Sequence, residues 1–283
     1  MKDFGSAERR ILALMKPGMG FKVQGRQYII ECSGKPGCKK GEPKTDIYIR
    51  ARSDQDEREI KISYKKNNAD FIENKMSAER AEQIFGPYWK EIIMNATASI
   101  REKFEQRTLI YKEKSGRTRK GVITLGWKFE LLNKKSGELS EKIDLTNRQV
   151  LDVYAGTHLK SEKRDSTVNG TIIPNSGVAN YILMDESVSS AQEVIDRAIP
   201  IEKYIITFPE IYFACKALNY RSFEKKWDGD RPLCVSVYWR AENGNLVPTL
   251  LYDRPLLMRG NEAAGYLLKA MEQLNIKTTE DIE

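Results

Sequence analysis

The sequence predicts a mixed β-sheet flanked by helices, an α/β (α+β) class, with a β-rich elaboration added to it. Three observations predict it. Helix-like and strand-like stretches alternate through residues 6 to 110. Two segments, Thr45 to Arg52 and Glu59 to Tyr64, alternate apolar with polar residues on either side of a polar turn. Aromatic-rich apolar runs then recur after Val122, after Tyr204 and after Leu233. A chain of 283 residues, 40% hydrophobic and 31% charged, is large and apolar enough to bury a proper core.

Ser6 to Lys16 reads as the first helix, with Ser6 able to cap it, Glu8 in its first turn, and Ile11, Leu12, Leu14 and Met15 on an apolar side. Pro17-Gly18 ends it. Phe21 to Glu31 reads as a strand bent at Gly25, followed by a compact basic loop, SGKPGCKKGEPK. That loop lacks the GxxxxGK[ST] spacing of a phosphate cradle. Thr45–Arg52 and Glu59–Tyr64 form a hairpin turning near Asp54 to Glu57, and residues 67 to 71 re-enter helix or loop. Ser77 to Phe85 is a short helix stopped by Gly86-Pro87. Tyr88 to Tyr111 reads as one long helix with Trp89, Ile93, Ile100 and Phe104 inward. Val122 to Leu132 is a strand, Glu141 to Leu145 another, and Thr146 to Asn175 reads as a polar, basic loop or arm. Val188 to Ala198 is helical. Tyr204–Lys216, Leu233–Trp239 and Leu246–Tyr252 are strands, the last two joined at Asn243-Gly244. Asn261 to Leu274 closes the chain as an amphipathic helix.

Several classes are excluded by what is missing. No apolar run approaches the roughly 18 residues of a membrane helix, and the N-terminus has neither the apolar segment nor the cleavage site of a secretory signal. Four cysteines and one histidine, His158, show no zinc spacing and read as reduced thiols in a cytoplasmic protein. Net charge is +7, unevenly placed: residues 1–45 hold ten Lys or Arg against four acids, and residues 101–164 hold sixteen against nine. Two basic stretches of this kind suit a polyanionic partner, because each phosphate contact also releases counterions.

The chemistry rests on PKTD, Pro43 to Asp46, followed after twelve residues by EIK, Glu59 to Lys61. Residues two apart on a strand share a face, so Glu59, Lys61 and Ser63 point one way while Ile60 and Ile62 point into the core. Both acids stand at strand starts. A tight hairpin does not bring Asp46 to Glu59, so a bent or twisted pair is required. Two carboxylates fixed on a sheet are good ligands for a hard cation that keeps some waters and takes a phosphate oxygen. A lysine beside them can neutralise charge developing on that phosphate.

PKTD(x12)EIK resembles the PD-(D/E)xK signature of restriction-endonuclease-like nucleases, with two residues between Pro43 and Asp46 where the commonest form has none. The resemblance covers about residues 6 to 110, where the order helix, three strands, helix agrees with that core. It implies a restriction-endonuclease-like mixed sheet, Asp46 and Glu59 as metal ligands and Lys61 as the catalytic lysine. It also implies Glu8 as the acid contributed by the first helix, with Glu31 as its rival. The implied cofactor is Mg²⁺, one or two ions with Mn²⁺ as substitute. The implied activity is site-specific hydrolysis of double-stranded DNA by a type II restriction enzyme of a bacterium or archaeon, with a homodimer if the target is palindromic. A structure- or mismatch-specific repair nuclease and a nonenzymatic DNA-binding protein are the alternatives.

Residues 1–111 are then the catalytic core, 112–200 a basic DNA-recognition region, and 201–283 a β-rich completion, recognition or dimer region. Lys35, Lys39, Lys40, Lys44 and Lys65 surround the motif as candidate phosphate contacts. Lys114, Arg117, Arg119 and Lys120 form one candidate DNA-binding strip farther along, and Arg148, Lys160 and Arg164 a second.

Overall fold

In the computed structural model the described residues are 5–39, 41–66, 71–184 and 187–282. They form a mixed α/β protein of two units, each built from two separate stretches of chain: Met1–Ala69 with Leu145–Pro209, and Asp70–Asp144 with Glu210–Glu283. This division differs from the three consecutive segments expected. The reason is strand pairing across long separations, which sequence periodicity does not record.

Unit 1 opens with α1 (Ser6–Leu14). Gly5 rather than Ser6 is its N-cap, and no side chain caps it. The strand expected over Phe21–Glu31 is a hairpin, β1 (Gly20–Val23) and β2 (Arg26–Gly34). Gln24 and Gly25 both take positive φ, 51° and 80°, the turn whose twist suits a two-residue antiparallel connection. β3 (Ile47–Arg52) and β4 (Glu57–Tyr64) pair antiparallel, with Ile47 opposite Ile62 and Arg50 opposite Glu59. Their turn is held by Asp56, whose carboxylate accepts from Ser53 Oγ at 2.6 Å and from the Tyr28 hydroxyl at 2.8 Å. Ile47, Ile49, Ile60 and Ile62 bury one sheet face against Ile11 and Met15. Each such side chain contributes roughly 1.5–3 kcal/mol.

The chain then enters unit 2 through β5 (Phe71–Glu73), α2 (Ala78–Phe85), α3 (Trp89–Ala98), α4 (Arg101–Glu105), β6 (Ile110–Tyr111), β7 (Val122–Leu132) and β8 (Ser140–Ile143). Ser77 caps α2 by accepting from Arg80 N at 3.2 Å. The long helix expected from Tyr88 breaks into α3 and α4 and gives way to a strand. Thr97 Oγ1 donates to Ile93 O at 3.0 Å and Ser99 Oγ to Ala96 O at 2.8 Å, so side-chain hydroxyls engage the carbonyls of the last turn. Ile100 leaves helical geometry there and is buried.

Back in unit 1 come α5 (Asn147–Ala155), α6 (Ser161–Arg164), β9 (Thr167–Val168), β10 (Thr171–Ile172), β11 (Tyr181–Leu183), α7 (Ala191–Arg197), β12 (Ile199–Pro200) and α8 (Ile201–Thr207). The expectation of a loop over Thr146–Asn175 is therefore corrected. Thr146 and Gln149 form a reciprocal capping box that starts α5, whose Val150, Val153, Tyr154 and Ala155 are buried. Thr146→Ala is expected to cost about 1 kcal/mol, read as a lowered urea midpoint at unchanged slope.

The last pass through unit 2 gives β13 (Ile211–Arg221), β14 (Lys226–Trp227), β15 (Val235–Glu242), β16 (Asn245–Leu251) and α9 (Gly260–Gln273). The strand expected from Tyr204 starts at Ile211 instead. Its aromatic and β-branched beginning is the helix α8, where Ile201 and Tyr204 are buried. The unit 1 sheet runs β1-β2-β3-β4-β11-β12, with β11 parallel to β4. The larger unit 2 sheet runs β14-β13-β7-β15-β16, with β5 and β6 on β7 and β8 on β13.

Candidate active site

Strand direction gathers charged residues at one end of the unit 1 sheet. Gly34 near the end of β2 lies opposite Tyr48, and Ile62 near the end of β4 lies opposite Ile47. Residues just past β2, just before β3 and just past β4 therefore share that end, and these are Lys35, Asp46 and Lys65. Asp46 N donates to Ile62 O at 2.8 Å, and Asp46 Oδ2 accepts from Tyr64 N at 2.8 Å. The carboxylate thus extends the β-ladder, taking the place of a backbone carbonyl.

Burial pushes the half-buried Asp46 carboxyl up to about 6. The ammonium of Lys65 opposes that rise most strongly, the charge of Glu8 adds to it, and Tyr64 N–H and Lys35 oppose it more weakly. Lys35 Nζ stands 2.6 Å from Glu8 Oε2, and that bond raises the lysine pKa. One register step beyond Ile47–Ile62, Ser63 faces Asp46. It is 2% exposed, and its Oγ has no partner among the described residues. The Thr45 hydroxyl, one residue before Asp46, is equally buried and unpartnered. Two carboxylates, two lysines and two unsatisfied hydroxyls therefore lie on and around this sheet end.

Glu59 lies farther along the hairpin, whereas Lys61, opposite Tyr48, is two residues from Ser63 on the same face. Glu59 is opposite Arg50, four residues along the strand from Ser63 and so about 13 Å away. The bend that would carry Asp46 to Glu59 is not formed, because the register runs unbroken from Ile47 to Arg52. Glu59 and Lys61 do keep company, at 3.7 Å. The Tyr48 hydroxyl donates to Glu59 Oε1, and its pKa is raised by burial and then by that bond. Asn180 clamps the backbone of this segment, accepting from Lys61 N at 2.7 Å and donating to Glu59 O at 3.0 Å. Glu31, the rival third acid, pairs farther along the sheet with Arg52 at 3.2 Å and Arg50 at 3.8 Å. Glu8 is the acid that acts on Asp46.

The candidate DNA contacts divide between the units. In unit 1, Lys39 and Lys160 are exposed, Lys44 is half-buried, Arg148 meets His158 Nε2 at 3.0 Å, and Arg164 pairs with Asp165 at 3.1 Å. Lys40 lies outside the described residues. In unit 2, Lys114, Arg117, Arg119 and Lys120 are all exposed on the segment between β6 and β7. Lys120 is held by Glu280 at 2.8 Å, and Arg119 lies 3.8 Å from Glu224.

No family model, curated protein or solved structure matches this chain. Among the described residues no helix is long and apolar enough to cross a membrane. No group of three or more His, Cys, Asp or Glu among them is placed to hold a metal ion. The donor set of Asp46, Glu8 and the unpartnered hydroxyls fits a hard cation bound through one or two carboxylates and its own waters. It does not fit a closed protein cage. Lys65 was expected beside the motif only as a phosphate contact, and Ser63 was not assigned to this centre, although a hairpin turning at Asp54–Gln55 already sets residue 46 opposite residue 63.

Proposed function

We propose that this chain is a Mg²⁺-dependent endonuclease that hydrolyses phosphodiester bonds in double-stranded DNA, in the manner of a type II restriction enzyme. The carrying observation is the meeting of Asp46 and Glu8 with Lys35 and Lys65 at one end of the unit 1 sheet. The order α1, β2, β3, β4, α5 supports the likeness to PD-(D/E)xK nucleases, and the exposed bases of both units suit a polyanion.

In this reading Asp46 and Glu8 hold the divalent cation, with Mn²⁺ able to replace Mg²⁺. When bound, it supplies positive charge at the scissile phosphate and a more acidic water. Lys65 donates to a non-bridging phosphate oxygen, where negative charge grows as water attacks phosphorus in line. The 3′ oxygen leaves, giving 5′-phosphate and 3′-hydroxyl ends. Lys35 balances Glu8 and keeps two acids from facing each other unneutralised. Glu59 and Lys61, locked by Tyr48 and Asn180, brace the hairpin on which Asp46 is mounted. A palindromic target would be met by a two-fold dimer.

The test is incubation of the purified protein with long unmodified DNA of known sequence, with Mg²⁺ and with EDTA. Discrete fragments formed only with Mg²⁺ are expected. Tight DNA binding without cutting, in a folded protein, would instead favour a nonenzymatic binder. Cutting confined to junctions or mispairs would favour a repair nuclease.

A further inference from the structure

Unit 2 contains a feature that the cleavage centre does not use. The pairing of β7 with β13 slips at one place: Leu218 lies opposite Gly126 and Asn219 opposite Thr124, leaving Leu125 unpaired. This is a β-bulge, and such irregularities re-aim side chains. Gly126 sits there at φ 145°, and a Cβ on it would come within 2.6 Å of Val235 O. The slip lets Trp127 and Thr124, three residues apart, stand beside Ala217 and Asn219, two residues apart. All four therefore share one side of the sheet.

On that side is a cavity of about 230 Å³ whose lining includes Thr124, Trp127, Asn219, Tyr111, Arg107 and Lys216. Thr124 is 3% exposed, and neither its hydroxyl nor the Asn219 side-chain amide makes a hydrogen bond among the described residues. Arg107 stands at 2.9 Å from the largely exposed Glu138. The volume suits one planar heterocycle and is far too small for a peptide helix or a large cofactor. Its lining combines two aromatic rings, a hydroxyl and an amide with unmet donors and acceptors, and two cationic side chains, of which Arg107 is paired with the lining acid Glu138. That is the chemistry of a nucleobase read along its edge, with a phosphate beside it.

We propose that this cavity receives a single nucleobase turned out of a DNA strand, so that unit 2 reads its substrate by extrusion. The proposal rests on DNA being the substrate. Binding of each of the four deoxynucleoside 5′-monophosphates to the full-length protein, followed by calorimetry and by Trp fluorescence, tests it without depending on cleavage. At least one mononucleotide is expected to bind saturably, and Asn219→Ala and Thr124→Val to weaken it at least tenfold. Ala217→Phe, at an exposed position of the lining, should block binding while leaving the melting temperature unchanged. Absence of saturable binding of all four up to about 10 mM, or binding that Ala217→Phe and Asn219→Ala leave intact, overturns the inference. Mg²⁺-dependent cleavage measured on the same preparations separates the two readings. Cutting without mononucleotide binding removes this inference alone, and binding without cutting removes the nuclease reading alone.

Discussion

Asp46→Asn is expected to cut no DNA and yet to melt at a higher temperature than the wild type at pH 8. The Asp46 carboxyl titrates at about 6 in the fold, against an ordinary value of 3.8, mainly because burial penalises its charged form. A folded pKa raised above the unfolded one means stability that is fully present below about pH 4 and lost as pH rises through about 6. At pH 8 the folded protein carries the whole cost, which for roughly two units is about 3 kcal/mol. Asparagine keeps an oxygen for Tyr64 N–H and carries no charge, so it removes most of that cost. Melting in EDTA should therefore show a gain of roughly 5 °C or more at pH 8 and little difference at pH 4. Equal melting of the two proteins at pH 8 would show that the carboxylate is well solvated and that the cost is not there. On the proposed reading the same substitution removes a cation ligand, and cleavage with Mg²⁺ should fall beyond roughly a hundredfold.

Two lysines of β4 and its end compete for the role of stabilising the phosphate, and single-turnover cleavage separates them. Lys65→Ala is expected to lose roughly a hundredfold or more. Lys61→Ala should lose no more than several-fold, since its ammonium already serves Glu59 at 3.7 Å. The ammonium of Lys65 is the strongest charge favouring ionised Asp46, so Lys65→Ala should also move the pH at which Asp46 ionises upward. An inactive Lys61→Ala beside an active Lys65→Ala would relocate the centre to Glu59 and return the PKTD(x12)EIK spacing to its direct reading.

The hairpin carrying this centre was legible because Ile47, Ile49, Ile60 and Ile62 alternate cleanly, and its turn was legible because polar residues cluster there. Placement of Glu8 was legible only through a resemblance. Nothing in its helix periodicity points it at Asp46, whereas the convergence of strand ends in the fold does. The register was also available from the turn position, but the motif spacing drew attention to Glu59 and Lys61 instead of Ser63 and left Lys65 a phosphate contact only. What remained illegible was set by distant partners. Tyr204 to Thr207 has the composition of a strand, and only burial of Ile201 and Tyr204 makes it helical. The Thr146 capping box was visible in the sequence, but the polar, basic stretch that follows it obscured α5.

The interleaving of the two units has a consequence for the growing chain. Asn180 is made 119 residues after Lys61, which it locks, and Lys65 N finds its acceptor only when Leu183 arrives. At ordinary translation speeds that delay is roughly ten seconds, during which β4 has an open flank and the hairpin end lacks its brace. A nascent fragment ending anywhere before β11 would then carry Asp46 and Glu8 without the support that holds Lys65 beside them. On the proposed reading, cleavage then waits until β11 has been made, about two thirds of the way along the chain, and a ribosome-bound or truncated chain that ends before Tyr181 is expected to cut no DNA.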